Sequence, residues 1–203
     1  TTGHSNTAVG KSALAANTTG SENSSFGMES MLSNTTGQDN IALGVSALRL
    51  NTTGSSNTAL GRLALNSNTT ASANTAVGKS SLAANTTGSD NNAIGWSALS
   101  SNTTGNSNVA LGAATLDAQT TGSHSVALGY GALGANTTAN YNVAVGRNSM
   151  AANTTGAKNV TVGGEALVAN TTGSNHVAIG YGTLAANTTG ANNVAIGYQS
   201  LTS

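Results

Sequence analysis

The chain has 203 residues, 6 basic and 6 acidic side chains, 26 glycines, six aromatics, and neither cysteine nor proline. Zero net charge leaves no electrostatic footprint for nucleic acid or an anionic membrane surface, and no apolar run reaches the roughly 18 residues of a membrane span. A disulfide frame and a thiolate metal site are excluded outright, and six aromatics make a poor core for an ordinary globular domain of this length.

From Asn6 onward the chain is one repeat of 17 residues without an insertion. With Asn6 as position 1, each unit reads N-[TV]-A-[VIL]-G-x-x-[AS]-L-x-[AS]-N-T-T-G-x-x. Position 5 is Gly in every unit, from Gly10 to Gly197, and position 9 is Leu or, at Met31 and Met150, Met. Positions 13 and 14 are always Thr, and position 15 is Gly except at Ala71 and Ala139. Strict register with no insertion is the mark of a solenoid, in which each residue stacks on its equivalents one coil away. The fold class expected is therefore all-β, a parallel β-solenoid or β-roll of twelve coils, with residues 1–203 a single repetitive segment of a longer fibre.

In chain order, positions 1 to 5 read as a strand, as in Asn193-Val194-Ala195-Ile196-Gly197. Positions 7 to 11 read as a second strand-like segment, with one helical turn as the alternative because Ala and Leu favour helix. N-T-T-G makes the return. Gly at positions 5 and 15 suits corners that need a positive φ or close backbone approach. Asn at positions 1 and 12 suits turns, and stacked coils let its amides bond in ladders. Coils at ~4.8 Å spacing give a rod roughly 55 Å long.

Side chains alternate along a strand, so positions 2 and 4 share one face and position 3 the other. Position 3 is nearly all Ala, which suits a narrow interior packed against the Leu column. Position 4 is always large and apolar: Val9, Phe26, Leu43, Leu60, Val77, Ile94, Leu111, Leu128, Val145, Val162, Ile179 and Ile196. Facing out, this column is an aliphatic stripe larger than a soluble monomer usually exposes, and it is expected to be an interface between copies of the chain. The alternative places position 4 inside with Leu, in a monomeric solenoid.

The element Asn-Val-Ala-Leu-Gly at 108–112 and Asn-Val-Ala-Ile-Gly at 193–197 resembles the head repeat of trimeric autotransporter adhesins of the Yersinia type. That resemblance implies a left-handed parallel β-roll with three chains side by side. The coil departs from that family's in length and in its added N-T-T-G return. In this the run from Gly95 to Gly105 is closer to repeats of phage and bacterial tail-fibre proteins. The resemblance covers the whole chain and implies an extracellular, cell-surface or virion fibre.

Catalytic and cofactor chemistry find no foothold. Gly10-Lys11-Ser12 and Gly78-Lys79-Ser80 mimic the end of a phosphate loop, but the earlier glycine that motif requires is missing. His4, His124 and His176 fall in different coils, which separates them too far for one metal. Glu22 and Asp39 stack at position 17 and read as a solvated face, with a shared cation as the alternative. No enzyme activity, cofactor or metal is expected. The ten N-T-T triplets are glycosylation sequons by pattern, read here as turns, whose density favours a bacterial or viral source.

Position 6 varies while the scaffold does not. It holds Trp96, Tyr130, Tyr181 and Tyr198 together with Lys11, Arg62, Lys79 and Arg147. These four aromatics form a candidate ligand surface for a host cell-surface glycan or protein, with plain covering of the Gly corner as the alternative. The leading functional reading is a structural shaft or head segment of a fibre that spaces or presents a host-binding tip, with the chain as its own partner in a homotrimer. Two alternatives stand beside it. The absence of atypical capping repeats suggests a filament subunit that stacks end to end. Thr columns, with Asn and Thr at positions 12 and 14 as paired ranks, suggest ice binding.

Overall fold

The computed structural model describes residues 2–202. It is a parallel β-solenoid of twelve 17-residue coils, and the described residues include no helix. Each coil has one three-residue strand at positions 2 to 4, from β1 (Thr7–Val9) to β12 (Val194–Ile196). The twelve form a single parallel sheet in sequence order, each residue paired with its equivalent in the next unit, as Thr7 with Ser24 and Val9 with Phe26.

The second segment is neither a strand nor a helical turn, which corrects both expectations for positions 7 to 11. The backbone there alternates in hand. All twelve residues at position 9 have positive φ, among them Leu48 at 51° and Leu99 at 51°, and so do all residues at positions 7 and 17. A non-glycine residue in this region costs on the order of 1–3 kcal/mol unless its surroundings over-determine it. Here they do. Position 9 N–H donates to the position 8 carbonyl of the next coil, as Leu48 to Ala64 at 2.9 Å, and position 7 N–H donates back to the position 6 carbonyl of the previous coil, as Ser46 to Met28 at 2.9 Å. None of the positive-φ residues is Val, Ile or Thr, the types for which this conformation is a genuine outlier.

The interior matches the expected faces and adds to them. Ala at position 3, the small residue at position 8 and Leu or Met at position 9 are buried along the rod. Beside them run two buried Asn columns. At position 1, the Asn40 N–H and Nδ2 both donate to Oδ1 of Asn23 one coil back, and Nδ2 also reaches the Gly54 carbonyl at 2.9 Å. At position 12, Asn51 Nδ2 donates to Asn34 Oδ1 and to that same Gly54 carbonyl, each at 2.8 Å. The two ladders therefore converge on the position 15 carbonyl and lash the return to the strand. Buried amides left unpaired would be costly, so a coil holds its shape only while its neighbours supply the partners.

One coil breaks the pattern. Gln119 replaces Asn at position 12; its Nε2 donates to Gly122 O and its Oε1 accepts from Asn136, both at 2.7 Å. The longer arm no longer donates to Asn102, whose Oδ1 is buried without a partner. Gln119→Asn should restore that bond and stabilise the rod by about 1 kcal/mol, raising the melting midpoint by roughly 2–4 °C. A thermal melt that is unchanged or lowered would show that the ladder is not continuous in energy as it is in geometry.

Candidate interaction surface

The sheet face carries positions 2 and 4 outward. No residue of the position 4 column is buried: Val9, Phe26, Leu43, Ile94, Leu111, Val162, Ile179 and Ile196 are exposed, and Leu60, Val77, Leu128 and Val145 are half-buried. The exposure is not an end effect, since Leu43 and Leu111 in the body of the rod remain 53% and 45% exposed. The alternation argument holds here because the strand, though only three residues long, is true strand. The Val residues of position 2 from Val109 to Val194 widen the stripe in the later coils.

Two rims flank it. Position 17 precedes the strand in a left-handed corner, and position 6 follows the position 5 glycine. Position 6 faces solvent as expected: Trp96, Tyr130, Tyr181 and Tyr198 are all exposed. Trp96 and Tyr130 stand apart with Ala113 between them, while Tyr181 and Tyr198 stack on each other, ring centroids 5.8 Å apart at 16°. One face of each ring is thus occupied by the other. The Tyr181 hydroxyl donates to Glu165 Oε2 at 3.0 Å, and Arg147 pairs with the other oxygen of Glu165 at 3.3 Å. The glutamate bond and charge raise the Tyr181 pKa above its usual value. The structure places this pair together as the spacing implied, and it leaves Trp96 and Tyr130 isolated.

A second aromatic pair escaped the sequence reading. His124 and Tyr141, successive residues at position 17, stack at 5.1 Å and 7°. The signal was present, because any two planar side chains in one column of adjacent coils must meet. His176, by contrast, stands in for an Asn at position 1 and is buried. Its N–H donates to Asn159 Oδ1 at 2.9 Å, and its Nδ1 accepts from the Asn193 N–H at 3.3 Å, so the ring fills the bonding role of the amide it replaces. Burial lowers its pKa from the usual histidine value, against a backbone bond to Gly190 that raises it.

The Thr columns divide. Position 13 hydroxyls donate to the position 13 carbonyl of the next coil, as Thr52 to Thr69 at 3.0 Å, and position 14 threonines are exposed. The Asn rank that a paired Asn–Thr water-ordering surface needs is inside the coil, so that surface is reduced to a Thr rank. Among the described residues no group of three or more His, Cys, Asp or Glu side chains is placed to hold a metal, and no helix is long and apolar enough to cross a membrane. No protein-family model matches the chain, and no curated protein or solved structure matches it.

Proposed function

We propose that the chain is a structural segment of an extracellular or virion-surface fibre in which copies pack side by side along the aliphatic face, as a left-handed homotrimeric roll that spaces or presents a host-binding tip. The observation that supports this reading most is the unbroken position 4 column, large and apolar in all twelve coils and outward in all of them. Residues without a structural role in the monomer have no physical reason to stay aliphatic over a rod of roughly 55 Å. A second copy presenting the same face removes that surface from water, worth roughly 25 cal/mol per Å² buried. The regular inter-coil bonding gives the stiffness that a spacer requires. The resemblance of the repeat to fibre and adhesin heads supports the trimer and its hand.

Light scattering of the native protein tests the association directly. Ile179 is outward, so Ile179→Asp should leave the coil intact and dissociate the assembly, since an unpaired charge within an apolar interface costs several kcal/mol. The expected result is a folded monomer with an unchanged far-ultraviolet spectrum. A native protein that is already monomeric would overturn the reading.

A further inference from the structure

We infer that the two coils carrying β7 (Val109–Leu111) and β8 (Val126–Leu128) form a built-in yield layer, where the rod opens first and which divides it into two separately stable blocks. Position 12 is Asn from Asn17 to Asn187 except at Gln119, and position 1 is Asn except at Ser125 and at His176, which keeps the amide's bonding role. The two exceptions that cost bonds, Gln119 and Ser125, lie in adjacent coils, so both ladders are cut at one level of the rod.

Each cut removes different ties. Gln119 leaves Asn102 Oδ1 unpaired, which loosens the layer from the coil before it. Ser125 keeps its N–H bond to Asn108 Oδ1 at 3.0 Å. It has no amide to supply the bonds that Asn108 Nδ2 makes in its own coil, to Asn91 Oδ1 at 3.1 Å and to the Gly122 carbonyl at 2.9 Å. The Ala139 carbonyl, where both ladders would meet, accepts only the Asn136 amide, at 3.2 Å. The return of this coil is therefore not lashed to its strand. On the far side Asn142 N–H reaches Ser125 Oγ at 3.4 Å, against 2.9 Å from Asn159 N–H to Asn142 Oδ1. Thr138 N–H lacks the bond to the next coil that Thr155 N–H makes at 3.2 Å. The coil of Ala71 shares this last loss but keeps both amides on its carbonyl. Strand bonds run through the layer, as from Gly129 N–H to the Leu111 carbonyl at 2.8 Å, so it is folded but less tied. The His124–Tyr141 stack joins the same two coils from the solvent side and replaces none of the buried bonds. A solenoid's stability is approximately a sum of coil and nearest-neighbour terms, and local opening starts where those terms are smallest. A load on the rod thus yields at this level and leaves the coils on either side folded. The inference does not depend on self-association.

Amide hydrogen exchange on the native protein, read by mass spectrometry, tests this. Residues 108–141 should exchange at least about tenfold faster than the equivalent amides of residues 40–90 and 142–175. Equal protection along the rod overturns the inference. Gln119→Asn with Ser125→Asn should slow the layer to the rate of its neighbours, and a layer that stays fast also overturns it. The reverse transfer, Asn51→Gln with Asn57→Ser, should create a second fast layer over residues 40–73. A chain that remains slow there, or that no longer folds, overturns the inference too, since the native layer carries the same two residues at the same positions and is folded.

Discussion

Gly112→Val should not yield a folded rod. Gly112 has φ +140°, and a Cβ there would lie 2.8 Å from the Gly129 carbonyl carbon and oxygen and 2.8 Å from Thr115 Oγ1. A β-branched residue adds χ1 restriction to a conformation it already avoids. The neighbouring coil cannot yield, because its carbonyl is itself one rung of the stack, so the cost is about 3 kcal/mol or more. The expected readout is loss of the β spectrum or aggregation at ambient temperature. Gly105→Ala is the instructive contrast. Its φ is ordinary, but a Cβ there would meet the Gly122 carbonyl and Asn102 Oδ1. The natural alanines show how a coil adapts: next to Ala71 and Ala139, Thr70 and Thr138 lack the N–H bond to the next coil that Thr53, Thr87 and Thr104 make. Gly105→Ala should therefore fold, at a loss of about 1 kcal/mol. Equal damage from both variants would show that the position 5 conformation is not where the strain lies.

What the sequence disclosed follows from what a fixed period can disclose. A 17-residue register without insertions leaves only stacking, so the solenoid, the coil boundary and the inward Ala and Leu columns were legible. The outward face was legible because strand alternation is a local rule that needs only three residues. The segment after Gly was not, because a choice between strand and helix leaves out a backbone that alternates in hand. Ser, Leu and Glu at positions 7 and 9 do not announce left-handed conformations; Leu48 adopts one because inter-coil bonds hold it there. Asn at position 12 was legible as a ladder and as a turn, but its complete burial depends on both ladders meeting at one carbonyl, a tertiary fact. The repeat pattern says nothing of what Gln119 does at position 12; the orphaned oxygen of Asn102 shows its effect.

That burial has a large consequence for the sequons. Eight of the ten N-T-T asparagines, among them Asn34, Asn85 and Asn170, are buried, as are Asn23 and Asn159, which also head sequons. The nitrogen that would take a sugar is already spent. Asn85 Nδ2 donates to Asn68 Oδ1 and to the Gly88 carbonyl, each at 2.9 Å. A glycan there removes a donor from each modified coil and puts a bulky polar group where only an amide fits, at the cost of a buried unsatisfied carbonyl each time, about 1–3 kcal/mol before sterics. Because oligosaccharide transfer acts on the emerging chain, modification would precede coil closure. Produced through a glycosylating secretory route, the chain should emerge glycosylated and unfolded, while the same chain made in a bacterial cytosol folds. The remedy lies outside the core: the position 14 threonines are exposed, and replacing them with Ala, together with Ser25→Ala and Thr161→Ala to match their own column, removes the sequons without touching an asparagine. That variant should fold by either route. Secreted, folded material with sugar on Asn34 or Asn85 would mean that the Asn ladders do not hold the coil together.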